Sequence, residues 1–115
     1  MYQFAYTDVL NESTGTARDR ERMMFDRAIE MLEAAEAAGA KSLEADKAVI
    51  FSRRVWQLLV DDLSQEGNAL APEIRADLIS IGIWILKECE AIRLGNSENF
   101  RGIIDVTKSI RDGLK

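Results

Sequence analysis

Apolar residues recur at helical spacing in four segments of the chain, and the segments are separated by short polar stretches that carry glycine or proline. In the first segment Phe25, Ala28, Ile29, Leu32 and Ala35 form a stripe, with Met24 and Met31 beside it. In the second, Ala45, Val49, Ser52, Trp56, Leu59 and Leu63 share a face that Ala48, Phe51, Val55 and Leu58 widen. In the third, Ile74, Leu78, Ile81, Ile85, Cys89 and Ile92 line up. In the fourth, Phe100, Ile103, Ile104, Thr107, Ile110 and Leu114 do so. The pattern predicts an all-α protein, a compact bundle of four main helices at about 16–38, 42–65, 72–93 and 97–112.

Before these lies a stretch that periodicity leaves open. Tyr2, Phe4 and Tyr6 alternate as in a strand, whereas Tyr2, Tyr6, Val9 and Leu10 share a face of a short helix. The expectation is a short N-terminal helix or docked arm, joined to the bundle through the polar Asn11 to Gly15 loop.

The third segment contains the longest uncharged run, Leu78 to Leu86, and passes at once into alternating charge. It predicts a central helix, enclosed over its apolar half and half-exposed beyond Lys87. Gly82 inside it costs roughly 1 kcal/mol relative to alanine, so it should mark close approach of another helix or room for the ring of Trp56 or Trp84.

Helix ends are marked by residues that satisfy orphan backbone groups. Thr16 with Asp19, Ser42 with Glu44 and Asp46, and Asn96 or Ser97 are candidate N-caps. Pro72 suits the first turn, and Gly39, Gly67 and Gly95 mark stops. The first helix opposes its own dipole, with Arg18, Arg20 and Arg22 early and Glu30, Glu33 and Glu36 late. Salt bridges to neighbouring helices are the expected compensation, and a partner surface is the alternative.

A chain of 115 residues supports one domain with its own core, here residues 1–115. The net charge of −5 disfavours general binding to nucleic acid or anionic membrane, since either needs a basic surface. Most cations are arginine, however, which keeps bidentate recognition of carboxylates or phosphates open. A single cysteine forms no internal disulfide, and the first ten residues lack the basic and apolar regions of a signal peptide, so a cytoplasmic protein is expected. The Leu78 to Leu86 run is about half of the ~20 residues that span a bilayer, which predicts no membrane insertion.

Candidate chemistry is sparse. Without histidine, imidazole general bases and histidine-ligated metals are excluded. Cys89 has Ile85, Leu86 and Ile92 at neighbouring helical positions and reads as a buried structural thiol. The Glu30, Glu33 and Glu36 ladder and the adjacent Asp61 and Asp62 read as solvated charge, and the glycines lack the spacing of a phosphate loop. No enzyme activity, cofactor, metal or small-molecule substrate is expected. Arg53, Arg54 and Trp56 combine cation and aromatic character that would suit RNA. The alternative puts Trp56 in the core and pairs the arginines with Asp61, Asp62 or another helix.

Four strings in order, MYQFAYTDVL, RRVWQLLVDDL, NALAPEIRADLISIGIWILKE and IRLGNSENFRGIIDVTKSIRDGL, resemble the FlaF flagellar-biosynthesis regulator family across nearly the whole chain. One departure is Ala71 before Pro72, where a leucine is usual. The resemblance implies a cytoplasmic, non-enzymatic protein that binds flagellin and promotes its synthesis and export as a chaperone. The resemblance also implies action opposite the FlbT family, which represses flagellin translation. Candidate partner contacts carried by the matching strings are Tyr2, Phe4, Tyr6, Arg53, Arg54, Trp56, Asn99 and Phe100. Two rival readings follow from the same residues. One is a translational regulator binding flagellin mRNA through Arg18 to Arg22 and Arg53 to Arg54; the other is an adaptor joining FlbT to flagellin or the export machinery. Under the chaperone reading an amphipathic flagellin helix enters an apolar groove, which the N-terminal arm covers or borders.

Overall fold

A computed structural model describes residues 17–113, which form four α-helices and, among the described residues, no strand. They are α1 (Ala17–Ala38), α2 (Leu43–Leu63), α3 (Pro72–Arg93) and α4 (Phe100–Asp112). The expected arm, the Asn11 to Gly15 loop, the Thr16 cap and Leu114 lie outside the described residues.

The ends follow from local chemistry. The Ser42 hydroxyl accepts from the Ala45 amide at 3.0 Å and opens α2. Pro72 stands in the first turn of α3, where a missing amide costs nothing. At the other end of α3 the Asn96 amide donates to the Ala91 carbonyl and the Gly95 amide to that of Ile92, with Gly95 at φ +79°. These two bonds make a Schellman stop, which needs a residue in the left-handed region. The expected start of α4 at 97 moves to Phe100, because Asn99 is the cap. Its carboxamide oxygen accepts from the Gly102 amide at 3.0 Å, while Ser97 turns its hydroxyl to Glu88 at 2.6 Å.

Packing differs from the expectation at one point. α1 packs against α2 and α4, and α2 packs against α1 and α3, whereas α3 and α4 scarcely meet. The shared core is built from the predicted stripes of α1, α2 and α4, with Phe25, Leu32, Val55, Trp56, Ile103 and Ile104 all buried, and α3 adds Ile85, Cys89 and Ile92 from its second half. Trp56 lies at its centre. Its ring is tilted against Phe25 with centroids 5.6 Å apart, and its indole N–H donates to the Thr107 hydroxyl at 3.3 Å. That bond spares a buried donor the cost of going unpaired.

The helix expected to be central is therefore peripheral. Only Gly82, Ile85, Cys89 and Ile92 of α3 are buried, while Ile83 and Trp84 inside the uncharged run are 43% and 40% exposed. The reason is geometric: nine consecutive helical residues make about two and a half turns, so an uncharged run of that length looks in every direction, and α3 has one well-packed neighbour. Gly82 does mark a close approach. A Cβ there would run into the Val60 side chain and touch the Trp56 ring, so its absence lets α3 settle onto α2.

The acidic end of α1 is compensated in part across the bundle. Glu36 pairs with Arg101, Glu33 with Lys108 and Asp26 with Arg111, all on α4, while Glu30 pairs with Arg27 in its own helix. These exposed pairs set the antiparallel register of α4 on α1 more than they add stability.

Candidate functional site

The outer side of α2 and the end of α3 enclose a groove of about 700 Å³. Val49, Ile50, Leu58 and Ile92 supply its apolar surface, and Arg53, Arg54 and Arg93 stand around it with Asp46 and Gln57. Helical spacing explains the mixture. Ile50 lies four residues from both Asp46 and Arg54, out of phase with the core stripe, and is 67% exposed. A second hollow of about 620 Å³ adjoins it and shares Ala40, Asp46, Ile92 and Arg93.

The rim is organised by Glu90. Its carboxylate accepts from Arg93 Nε at 2.9 Å and from Arg93 Nη2 at 2.5 Å, and Arg53 Nη1 of α2 stands 3.6 Å away. The Arg93 bond holds the Glu90 carboxyl below the usual carboxylate range and raises Arg93 in return. One carboxylate thus gathers an arginine from each wall of the groove, leaving the apolar surface between cationic flanks. Such a surface suits an amphipathic segment with carboxylates beside its apolar face.

The expected contact residues separate into three groups. Arg53 and Arg54 line the groove together, and Arg53 pairs with another helix as the bland reading of that turn anticipated. Trp56 and Phe100 lie within the core at 0% and 2% exposure, and Asn99 caps α4. Trp56 and Phe100 are therefore enclosed, whereas Asn99 is exposed and uses only its carboxamide oxygen in the cap. Tyr2, Phe4 and Tyr6 lie outside the described residues. The sequence reading passed over Ile50, Leu58, Ile92 and Arg93. Ile50 carried a usable signal as an isoleucine between charged residues on a polar face, whereas Arg93 joins the site only because α3 ends beside α2.

The polar interior carries little chemistry. Burial pushes the Cys89 thiol up to about 12, against a smaller lowering by Arg53, so it stays protonated and unreactive. Among the described residues no group of three or more acidic or thiol side chains could hold a metal ion. No helix among them is long and apolar enough to cross a membrane.

A helical bundle built around Trp56, with an apolar groove flanked by arginines, is the form the chain presents. The family model described as flagellar protein FlaF matches residues 2–114, which places the chain among flagellar proteins. It belongs to the FlaF family, as the four sequence strings indicated. No curated protein and no solved structure matches it.

Proposed function

We propose that the protein is a non-enzymatic regulator of flagellar biogenesis that binds flagellin in the cytoplasm, acting as a chaperone for its synthesis and export. Membership of a flagellar family over nearly the whole chain carries this reading. The groove between α2 and α3 supports it, because an unassembled filament subunit must keep amphipathic helices from aggregating, and an apolar concavity with charged flanks receives such a helix. FlbT is a further partner under the same reading. The mRNA-binding reading draws less support, since the groove between the arginines is apolar and the chain is acidic overall.

The test is calorimetric titration of purified flagellin into the full chain and into Ile50→Asp, a substitution at an exposed position that leaves the core untouched. Binding by the wild type, weakened at least about tenfold in Ile50→Asp, is expected. Absence of wild-type binding, alongside a salt-sensitive shift of flagellin mRNA on a gel, would overturn the proposal in favour of the translational regulator.

A further inference from the structure

Three contacts set one level across the bundle: Phe25 against Trp56, Gly82 against Trp56 and Val60, and Arg111 against Asp26 at 3.1 Å. α4 has 13 residues, about 20 Å of helix, against 22 residues, about 33 Å, for α1 and for α3. It stops one residue after Arg111. Past that level the start of α1, the end of α2 and the first half of α3 continue without it.

The apolar stripe of α3 continues too. Ile85 and Cys89 are fully buried, Ile81 and Leu78 half-buried, and Ile74 is 50% exposed, although spacing puts all five on one face. Trp84 flanks this stripe on the side of α4, since it lies one turn before Glu88, whose carboxylate accepts from Ser97 just ahead of α4. Burial falls along a face whose composition stays apolar, and an uncovered patch of this kind marks a contact surface.

The described chain begins at this same end, because α1 runs antiparallel to α2 and Ala17 stands about 12 Å beyond Phe25. Sixteen residues precede it. They comprise a polar spacer, residues 11–16, and a segment with Tyr2, Phe4, Tyr6, Val9 and Leu10 that carries one charged side chain, Asp8. Six residues reach about 20 Å. Ile74 and Trp84 are about 15 Å apart along the helix, a length that ten residues cover in any conformation.

We propose that residues 2–10 dock on the first half of α3, over Ile74, Leu78, Ile81 and Trp84, and form the wall that α4 is too short to provide. Aromatic rings suit this role because they bury large areas at small rotamer cost. Tethering through a short spacer gives the segment a local concentration in the millimolar range, which outcompetes a second copy or a free partner at ordinary concentrations.

Tryptophan fluorescence tests the idea in the full chain. Trp56 is enclosed, so an aqueous quencher reports on Trp84. Replacing Tyr2, Phe4 and Tyr6 together by Ser should roughly double acrylamide quenching and shift emission to the red as the Trp84 ring passes from packed to solvent-facing. Quenching unchanged by the triple substitution would sink the proposal. So would protection of Trp84 that grows with protein concentration, which would assign the surface to a second copy. Should the triple variant fail to fold, Tyr2→Ser, Phe4→Ser and Tyr6→Ser made singly decide: quenching unchanged in all three overturns the docking, and a rise in any of them sustains it.

Discussion

Trp84 lies in the longest uncharged run and Trp56 two residues after a pair of arginines, yet Trp56 is the centre of the core and Trp84 stands 40% exposed on a peripheral helix. The difference is the number of neighbours around each helix. α2 lies between α1 and α3, so every residue on its stripe meets apolar cover, and Trp56 gains a ring contact with Phe25 and a hydrogen bond to Thr107 besides. α3 leans on α2 with no second well-packed neighbour, so its apolar side chains are fully buried only from Gly82 onward on the stripe that meets α2 and are partly or largely exposed elsewhere. Hydrophobicity says that a residue gains by burial; the count of packed neighbours says whether burial is achieved.

The comparison is broken most easily by truncating the two rings. Trp56→Ala should cost about 3–5 kcal/mol through the cavity it leaves, against about 1 kcal/mol for the partly exposed Trp84→Ala. Equal shifts in urea midpoint for the two would show that the core is not organised as described. A step smaller, Gly82→Ala forces a methyl group into Val60 and should cost about 1–3 kcal/mol by overpacking, where an alanine at an ordinary mid-helix glycine stabilises. A stabilised Gly82→Ala protein in thermal denaturation would mean that α3 does not press on α2 at this point.

The smallest effect concerns the clasp at the groove. The Glu90 carboxyl is held below its unfolded value, so its contribution is present above that value and is lost as pH falls through the folded one. The stability difference between wild type and Glu90→Gln should therefore be present near neutrality and shrink in the acid range. Urea midpoints at the two pH values measure it, and a difference that grows on acidification contradicts the assignment of Arg93 as the partner.

Much of this molecule was legible in its residues. The stripes of α1, α2 and α4, the capping by Ser42, the stop at Gly95 and the buried state of Cys89 all follow from spacing and side-chain chemistry. So does the pairing of two of the misplaced charges of α1, Glu33 and Glu36, with a neighbouring helix. The candidate site was legible in part. Arg53 and Arg54 stand out as a pair of cations beside an apolar stripe, but nothing local distinguishes Trp56 as core from Trp56 as contact. Asn99 was read as a contact, and the structure adds that its carboxamide oxygen caps α4, a role that depends on where the helix starts.

What the sequence by itself determined is the set of elements, the face each one buries and, through four recognisable strings, the family. These are local properties, decided within a few helical turns by periodicity, caps and glycine. The tertiary structure alone decided which helix is central, that α4 ends short of its neighbours, and that Ile50, Ile92 and Arg93 share a groove with Arg53 and Arg54. Those depend on which helices pack against which, and on where one helix ends relative to another. An uncharged run such as Leu78 to Leu86 is compatible with a core or with a surface awaiting cover, and only the arrangement of its neighbours chooses between them.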